Sequence, residues 1–413
     1  MFHQNYLSLI LSFLLICCIS LSEAATPLKL MTLRGENLEK TRAMVQQKDP
    51  SLQPALDNLL KQADEALKKG PYTVMSKKWM PPSGDKHDYL SIGPYLWPIV
   101  STSGTTTWKI QDGKANPENR RGTDSNAWGD FRNDVEILTL AWYLTGEDKY
   151  ARQAAKLIHT WYLDPQTRVN PNALYSQWLP EKKTGTPVGT IDISPIASLC
   201  NWLRVMESWT GWNTYYPDGA AGYQREIRKW MSQYLQWLTQ SDHGKKAAEL
   251  KNNIGSWYDT QAASVALFVG NISLARQMVE KGKSRIALQI NPDGGQPQEL
   301  RRTKAFAYSL YNLNALTQLA EVGHNVGVDL WNYKTTDGRS LKKAIDFLAP
   351  YRDPKQKWPY QEISPGGINQ GGLSTLIWTA AWGLNDSAYL QKAKEGVSPR
   401  HYSVSRYRLT YPR

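Results

Sequence analysis

The sequence predicts an all-α protein built as an α/α toroid, which is an incomplete barrel of helix hairpins around a central cleft. Three observations favour this fold class. Apolar residues recur at helical spacing along most of the chain, strand-like alternation is scarce, and no fixed repeat period links one hairpin to the next. A stacked solenoid is the alternative, but solenoids usually repeat at a fixed period.

The N-terminal segment predicts where the protein acts. An apolar stretch at 6–21 is followed by Ser22-Glu23-Ala24, with small residues at the two positions that a signal peptidase reads, as in a secretory signal peptide that is cut after Ala24. An uncleaved N-terminal anchor is the alternative. Because no later segment has ~18 uninterrupted apolar residues, we predict no stable membrane insertion. The expected organisation is a signal peptide at 1–24 and a single toroidal domain at 25–413, in a secreted or periplasmic protein.

Composition narrows the choice of partners. The chain has a formal net charge of +12, and a secreted basic protein attracts polyanions. Nucleic acid is disfavoured, because no basic run is interleaved as in nucleic-acid-binding modules and because the protein is expected to be exported. Acidic polysaccharide is the expected partner, since flat rings among the 17 Trp and 22 Tyr residues can stack on sugars.

Cysteines contribute little to the predicted structure. Cys17 and Cys18 lie in the predicted signal peptide, so only Cys200 remains in the mature chain and no internal disulfide can form. Stability must therefore come from a large packed core. We expect no cofactor, no ligand cluster suggests a metal, and the sequence predicts no oligomeric state.

Helical hairpins follow one another from residue 133 onward. At 133–163, one apolar face precedes a turn at Gly146 and a second follows it, which is the pattern of an αα-hairpin. Further helical periodicity occurs at 193–209, 223–238, 256–281, 303–322, 341–348 and 373–394. The loops at 81–128 are long and rich in Gly, Pro, Tyr and Trp, and such loops on a helical scaffold tend to carry binding residues.

The first candidate stretch lies in these loops, at 86–98 and 110–118. His87, Tyr89, Tyr95 and Trp97 place an imidazole and several aromatic rings close together in sequence. Such a group can line a sugar-binding cleft. The alternative is an ordinary packed aromatic loop.

The second stretch is "LKNNIGSWYDTQ" at 250–261. Asn252 and Asn253 can donate amide hydrogen bonds to a carboxylate, and Trp257 begins a helix. An Asn pair is also common at a helix N-cap, which is the alternative. Between the amides and the glycine stands Ile254, an apolar residue in an otherwise polar stretch.

The third stretch, "PQELRRTKAFAYSLYNLNAL" at 297–316, combines arginines with a tyrosine. On an uninterrupted helix, Arg301 would share a face with Tyr308, seven residues later. If the helix begins only near Thr303, Arg302 could equally turn into the cleft. A cation beside a phenol favours the phenolate and lowers the pKa of the tyrosine. An ordinary Arg pair at a helix start is the alternative.

The order of these motifs carries a family resemblance. The chain resembles the alginate lyase family of polysaccharide lyases, whose members cleave uronate polymers in an α/α toroid. The matching stretches are "HDYLSIGPYLWP", "DGKANPE", "LAWYLTGEDKYARQAAKLIHTWYLDPQTRVNPN" with "YSQ" after it, "NNIGSWYDTQ" and "ELRRTKAFAYSLYNL". They cover most of 87–316.

The resemblance implies lytic β-elimination and assigns roles to residues. Asn253 matches the Asn that helps to neutralise the uronate carboxylate, and Tyr308 matches the Tyr that serves as base, acid or both. The accompanying Arg maps most simply to Arg302, with Arg301 as the rival. Cleft and subsite residues would include Gln177 in "YSQ", together with His87, Tyr89 and Tyr95.

The sequence departs from the family at Ile254, where the family pattern reads Asn-Asn-His-Gly. An isoleucine can neither shuttle protons nor hold a carboxylate. In mannuronate and glucuronate the C5 hydrogen and O4 leave from the same side of the ring, so one Tyr can serve both. We therefore expect syn elimination of mannuronate-rich or glucuronate-containing chains, because anti elimination needs groups on both faces.

The sequence is also compatible with two other functions. Loss of the His favours a weak or inactive relative that only binds acidic polysaccharide. A toroidal glycoside hydrolase would need two carboxyls about 5–10 Å apart across the cleft, such as Asp259 and Glu299, although the sequence offers no distinctive pair.

Overall fold

The structure is a computed structural model that describes residues 28–394 and 404–412. The predicted signal peptide at 1–24, with Cys17 and Cys18, lies outside the described residues, and so does His401. The boundary between signal peptide and domain therefore stays a prediction. In the described part of the chain, no helix is long and apolar enough to cross a membrane.

Helices make up most of the fold, as predicted, and they form an α/α toroid. Their bounds are α1 (Gly35–Gln46), α2 (Gln53–Ala66), α3 (Ser125–Thr145), α4 (Asp148–Ile158), α5 (Ile196–Met206), α6 (Ala220–Gln240), α7 (Asp242–Glu249), α8 (Asn253–Phe268), α9 (Ile272–Gln289), α10 (Pro297–Leu300), α11 (Ala305–Val326), α12 (Leu341–Leu348), α13 (Gln370–Gly383), α14 (Ser387–Lys394) and α15 (Tyr407–Thr410). The all-α toroid prediction is confirmed.

Short strands in the long loops support one side of the cleft. They are β1 (Leu90–Ile92), β2 (Leu96–Val100), β3 (Thr106–Ile110) and β4 (Tyr175–Trp178). β1 pairs with β4 in parallel, and β2 pairs with β3 as an antiparallel hairpin. Tyr175 and Trp178 of β4 pack with Leu90, Ile92 and Leu96 in a small apolar cluster separate from the main core. This cluster holds the strands that carry the loops around the cleft.

Helix α8 is the centre of the fold. All of its residues, 253 to 268, are buried, and it packs against α5, α6, α9 and α11. Its one buried carboxylate, Asp259, accepts a hydrogen bond from Arg285 Nε at 2.7 Å. A helix packed between four neighbouring helices has little freedom to shift, so its N-terminal residues occupy fixed positions.

The helix boundaries correct the sequence prediction in two places. The predicted helix 256–281 is two helices, because Gly270 adopts φ 87 and the Asn271 side chain caps α9. The predicted segment 373–394 is likewise divided into α13 and α14 near Asn385, which has φ 50. By contrast, the predicted turn at Gly146 is confirmed, since Gly146 ends α3 in the left-handed conformation.

Gly255 permits a close contact at the start of α8, and its replacement gives a stability prediction. A Cβ at this position would overlap the Leu250 carbonyl oxygen and the Arg285 guanidinium. Gly255→Ala is therefore expected to lower the free energy of unfolding by about 2 kcal/mol. Chemical denaturation of the two proteins measures the difference.

The matched control is Gly129→Ala, also within a helix. No atom lies within 4 Å of a Cβ built on Gly129, so this change should raise stability by about 0.5–1 kcal/mol through helix propensity. Equal effects of the two substitutions would contradict the steric explanation.

Candidate active site

A cleft of about 780 Å³ opens at the centre of the toroid. It is bounded by the loops around β1 and β2, one face of α3, the segment from β4 to α5, and the N-terminal ends of α8 and α11. Its polar lining includes Tyr89, Tyr95, Asp112, Arg120, Ser125, Arg132, Gln177, Asp192, Asn253, Arg302, Lys304, Tyr308 and Tyr311. Cations and phenols thus face a common space large enough for several sugar rings.

Tyr308 lies on the first turn of α11, with its phenol in contact with another phenol. Its hydroxyl donates to the Tyr95 hydroxyl at 2.8 Å. The guanidinium carbon of Arg302 lies 3.7 Å from the centre of the Tyr308 ring, a cation–π distance. The structure thus brings together three residues that the sequence singled out, from the loop before β2, the junction of α10 and α11, and the first turn of α11.

Burial decides the protonation of Tyr308 in the free protein. Burial raises the pKa of the Tyr308 phenol well above its usual range, the hydrogen bond with Tyr95 raises it further, and the charge of Arg302 opposes both. The predicted lowering of the Tyr308 pKa by arginine is therefore present, but it is smaller than the rise caused by burial and by Tyr95. Tyr308 carries its proton at neutral pH until substrate changes its surroundings.

The arginine beside Tyr308 is Arg302 rather than Arg301. Helix α10 ends at Leu300 and α11 begins at Ala305, so the seven-residue spacing between Arg301 and Tyr308 does not run along one helix. Arg301 is exposed and does not line the cleft, whereas Arg302 does.

Asp112, in the "DGK" motif, anchors Arg302. Its carboxylate forms an ion pair with Arg302 and accepts from the backbone N–H and the hydroxyl of Thr303 at 3.1 and 3.0 Å. These bonds to Arg302 and Thr303 lower the pKa of Asp112 to about 2, so it is ionised at neutral pH. A Cβ on the next residue, Gly113, would overlap the Thr303 hydroxyl. The loop therefore closes tightly on the junction of α10 and α11.

Asn253 is held by a buried carboxylate. Glu299 Oε1 accepts from the Asn253 backbone N–H at 2.8 Å, and Glu299 Oε2 accepts from Asn253 Nδ2 at 2.7 Å. Both side chains are almost wholly inaccessible to solvent. Burial raises the pKa of Glu299, and the bonds from Asn253 oppose that shift. The orientation of the Asn253 amide is thereby fixed, with one Nδ2 hydrogen left for a ligand.

The neighbouring motif residues have structural contacts. Asn252 is the N-cap of α8, and its Oδ1 accepts from the Ile254 N–H at 3.2 Å. Trp257 is buried, and its ring lies 5.1 Å from that of Tyr311. Neither Asn252 nor Trp257 is among the cleft-lining residues, so their predicted roles in substrate binding have no support from position.

Ile254 lines the cleft with 9% of its surface exposed. No imidazole takes its place among the described residues, because His87, His159, His243 and His324 all lie outside the cleft lining. His87 Nδ1 donates to the Arg168 carbonyl oxygen at 2.6 Å, with the tautomer set by that acceptor. The position that the family pattern gives to a proton-carrying group is therefore apolar here.

The predicted residues divide cleanly by position. Tyr89, Tyr95, Gln177, Asn253, Ile254, Arg302 and Tyr308 line the cleft, whereas His87, Trp97, Asn252, Trp257 and Arg301 do not. Sequence reasoning missed Arg132, Asp192, Lys304 and Tyr311. Helical spacing could have found some of them, because cleft-lining residues recur at i, i+3, i+4 and i+7 in two places. On α3 these are Ser125, Trp128, Gly129 and Arg132. At the start of α11 they are Lys304, Ala307, Tyr308 and Tyr311.

The carboxylates suggested for a hydrolase have other partners. Asp259 is fully buried, bonded to Arg285 and absent from the cleft lining. Glu299 is buried behind Asn253 and does not line the cleft either. Within residues 28–394 and 404–412, no three His, Cys, Asp or Glu side chains are grouped as a metal site would require.

Comparison with known proteins places the chain in the class of polysaccharide lyases with the α/α-toroid fold. The chain belongs to the alginate lyase family, whose model, described as Alginate lyase, matches residues 73–358. A search of curated proteins found no match.

Solved structures agree with this assignment. An alginate lyase from Bacteroides ovatus is 32% identical with a TM-score of 0.85, covering 93% of this chain and 99% of its own. Alginate lyase A1-III from Sphingomonas species A1 has a TM-score of 0.53 at 17% identity, covering 94% of this chain and 93% of its own. A variant of A1-III complexed with tetrasaccharide has a TM-score of 0.55 at 18% identity, covering 88% and 91%. The likeness to A1-III concerns the fold alone.

Proposed function

We propose that the protein cleaves mannuronate-rich alginate or glucuronate-containing chains by syn β-elimination, with Tyr308 as the proton carrier. The observation that carries the proposal is the contact of the Tyr308 phenol with both Tyr95 and the Arg302 guanidinium inside the cleft. The alginate lyase from Bacteroides ovatus supports alginate as one substrate to test.

The elimination requires neutralisation of the C5 carboxylate, removal of the C5 proton and protonation of O4, and residues of the cleft can perform each of these steps. Asn253 and Arg302 hydrogen-bond the C5 carboxylate of the sugar, which makes the C5 proton more acidic. Tyr308 as phenolate removes that proton, and the electron pair of the C5–H bond forms the C4–C5 double bond. The C4–O4 bond breaks, and the Tyr308 phenol returns a proton to O4. Arg302, stacked on the ring, lowers the cost of forming the phenolate.

The apolar Ile254 favours syn elimination over anti elimination. Anti elimination places base and acid on opposite faces of the sugar ring, and no described histidine lines the cleft to serve beside Tyr308. Syn elimination needs a single group on one face, which Tyr308 supplies. A binding-only function is the second candidate, favoured by the same isoleucine.

An absorbance screen on alginate blocks, glucuronan and glycosaminoglycans tests the proposal. A lyase creates an unsaturated sugar that absorbs in the ultraviolet, a hydrolase creates only saturated reducing ends, and a binding protein creates neither. We expect ultraviolet product from mannuronate-rich or glucuronate-containing chains. Binding without product on every polymer would support the second candidate instead.

Restoring the imidazole gives a further prediction. Ile254→His is expected to raise the rate on guluronate-rich blocks by about tenfold or more, because a second acid–base group makes anti elimination accessible. Initial ultraviolet rates on guluronate and mannuronate blocks measure the change, and Ile254→Leu is the matched apolar control. Absence of any gain on every uronate polymer would contradict the interpretation of Ile254 as the replacement of a working histidine.

We also propose that the protein is exported to the periplasm or the cell exterior, on the strength of its N-terminal sequence. N-terminal sequencing of the mature protein is expected to begin at Ala25.

A further inference from the structure

Strand β4 contains a bulge at the cleft. Leu90 of β1 pairs with Tyr175 and Ile92 pairs with Trp178, so β4 has one more residue between the paired positions than β1. The second of the two intervening residues, Gln177, has φ 45. Left-handed backbone is uncommon for a residue other than glycine, and bulges beside active sites often redirect a side chain. The local structure turns Gln177 into the cleft lining.

Gln177 is fixed at both its backbone and its side chain. Its N–H donates to the Ser91 hydroxyl oxygen at 2.8 Å, and its Nε2 donates to Asp192 Oδ1 at 2.8 Å. The Ser91 hydroxyl in turn donates to Asp192 Oδ2 at 2.5 Å. Ser91 is fully buried. These three residues, from β1, β4 and the turn before α5, form a closed polar group that we term the Ser91–Gln177–Asp192 triad.

Glycines allow the segment that carries Asp192 to approach the bulge. A Cβ on Gly185 or on Gly189 would overlap the Ser176 carbonyl oxygen. The same oxygen accepts from the Thr186 N–H at 3.1 Å. Asp192 follows three residues after Gly189, so the close packing sets its distance from Gln177.

The charge of Asp192 distinguishes it from the rest of the cleft. Asp112 lines the same cleft, but its charge is paired with Arg302. Among the described residues, no lysine or arginine forms an ion pair with Asp192, whose partners are the neutral side chains of Ser91 and Gln177. Asp192 is partly exposed at the cleft. Burial raises the pKa of its carboxyl, whereas the hydrogen bonds from Ser91 and Gln177 and the charge of Arg120 oppose that rise.

An unpaired carboxylate restricts what can bind next to it. Each Asp192 oxygen accepts one hydrogen bond within the triad and has capacity for another. A uronate carboxylate offers only acceptors and would be repelled, whereas a sugar hydroxyl donates. Gln177 Nε2 has a second hydrogen, and its Oε1 can accept. The triad therefore matches the hydroxyl edge of a sugar and opposes its carboxylate edge.

We propose that the Ser91–Gln177–Asp192 triad forms a hydroxyl-selecting subsite, which orients one sugar of the chain by accepting hydrogen bonds from its ring hydroxyls. The inference rests on the proposed function in that an acidic polysaccharide occupies the cleft. The triad fixes the orientation of that sugar, while Arg302 and Asn253 hold a carboxylate.

Binding of mannuronate and glucuronate tetrasaccharides tests the subsite without turnover. Calorimetry uses the Tyr308→Phe protein, with and without Asp192→Asn, and each tetrasaccharide is supplied plain and O-acetylated on its ring hydroxyls. Asp192→Asn is expected to weaken binding of the plain tetrasaccharide about tenfold, since hydrogen bonds to a charged acceptor are lost. It should also reduce the preference for plain over acetylated ligand.

A change in affinity of the opposite sign would indicate that Asp192 acts only through its charge. If Asp192 touches no hydroxyl, removing a negative charge from a cleft that binds a polyanion should tighten binding. Unchanged or tighter binding by the Asp192→Asn protein would therefore overturn the proposal, and so would failure of the Tyr308→Phe protein to bind any of the tetrasaccharides.

Two further variants separate the triad from general effects. Gln177→Gly keeps the backbone unstrained at φ 45 and removes only the side chain, so it should also weaken binding. Asp218→Asn, whose carboxylate bonds Arg225 on an exposed surface, should leave binding unchanged. Product formation by the unaltered protein is measured separately, so a failed lyase assignment and a failed subsite give different results.

Discussion

Tyr308→Phe is expected to lower kcat/KM by about 10²–10⁴-fold, the range typical of a lost general acid–base group. The change removes the phenolic oxygen and leaves the ring beneath Arg302. Binding of a tetrasaccharide should change little, because the carboxylate-binding groups remain. Initial rates of ultraviolet product formation and calorimetric binding measure the two quantities on the same protein.

The pH dependence provides a second measurement for the same residue. Burial places the pKa of Tyr308 above its usual range in the free protein, so the phenolate fraction rises with pH throughout the neutral and mildly alkaline range. The kcat/KM of the unaltered protein should therefore increase with pH there. The residual activity of the Tyr308→Phe protein should lose that increase, because it has no phenol at this position to deprotonate.

A control substitution tests whether activity falls only when the Tyr308 hydroxyl is removed or whenever a tyrosine hydroxyl is removed. Tyr216→Phe removes a hydroxyl from a partly buried tyrosine near His159, away from the cleft lining, and should leave kcat/KM unchanged. If the Tyr308→Phe protein retained a third or more of the activity, Tyr308 could not be the main proton carrier.

The sequence predicted the fold well where helices have an apolar stripe. Helices α3 and α4 are bounded near the predicted turn because Gly146 both ends the periodic pattern and permits the left-handed cap. Helix α1 was not predicted, because its buried face is Gly35, Asn37, Leu38 and Thr41 and carries almost no apolar signal. Helix α2 buries Ala55, Leu59, Ala63 and Ala66, a regular spacing that small side chains make hard to recognise.

The site was predictable as far as its motifs reach. Family motifs singled out Tyr308, Asn253 and Arg302, and the structure gathers them at one cleft. The interval of seven between Arg301 and Tyr308 assumed a continuous helix, which the break before Ala305 removes. Spacing also gives no sign of the Asp112–Arg302 pair, whose members are 190 residues apart in the chain. Contacts between residues so far apart in the chain depend on the three-dimensional arrangement of the loops, which sequence spacing does not reveal.

Asn253→Asp is the second substitution from which we expect a large effect, and it should lower both stability and activity. A carboxylate at this position would lie against Glu299, whose Oε2 is 2.7 Å from Asn253 Nδ2. Two buried carboxylates at that distance must share a proton, which should lower the free energy of unfolding by on the order of 3 kcal/mol. Activity should fall at least ~10²-fold, because an amide donor to the substrate carboxylate becomes an acceptor. Denaturation and ultraviolet rates measure both effects.

The double variant Asn253→Asp with Glu299→Gln separates the two effects. The new glutamine can accept from the backbone N–H of residue 253 through Oε1 and donate through Nε2 to the new carboxylate, so each bond of the original pair has a replacement. Stability should therefore recover while activity stays low, because the group facing the uronate is still an acceptor. Recovery of activity together with stability would mean that Asn253 acts only as a structural partner of Glu299, and the carboxylate of the substrate would then depend on Arg302 alone.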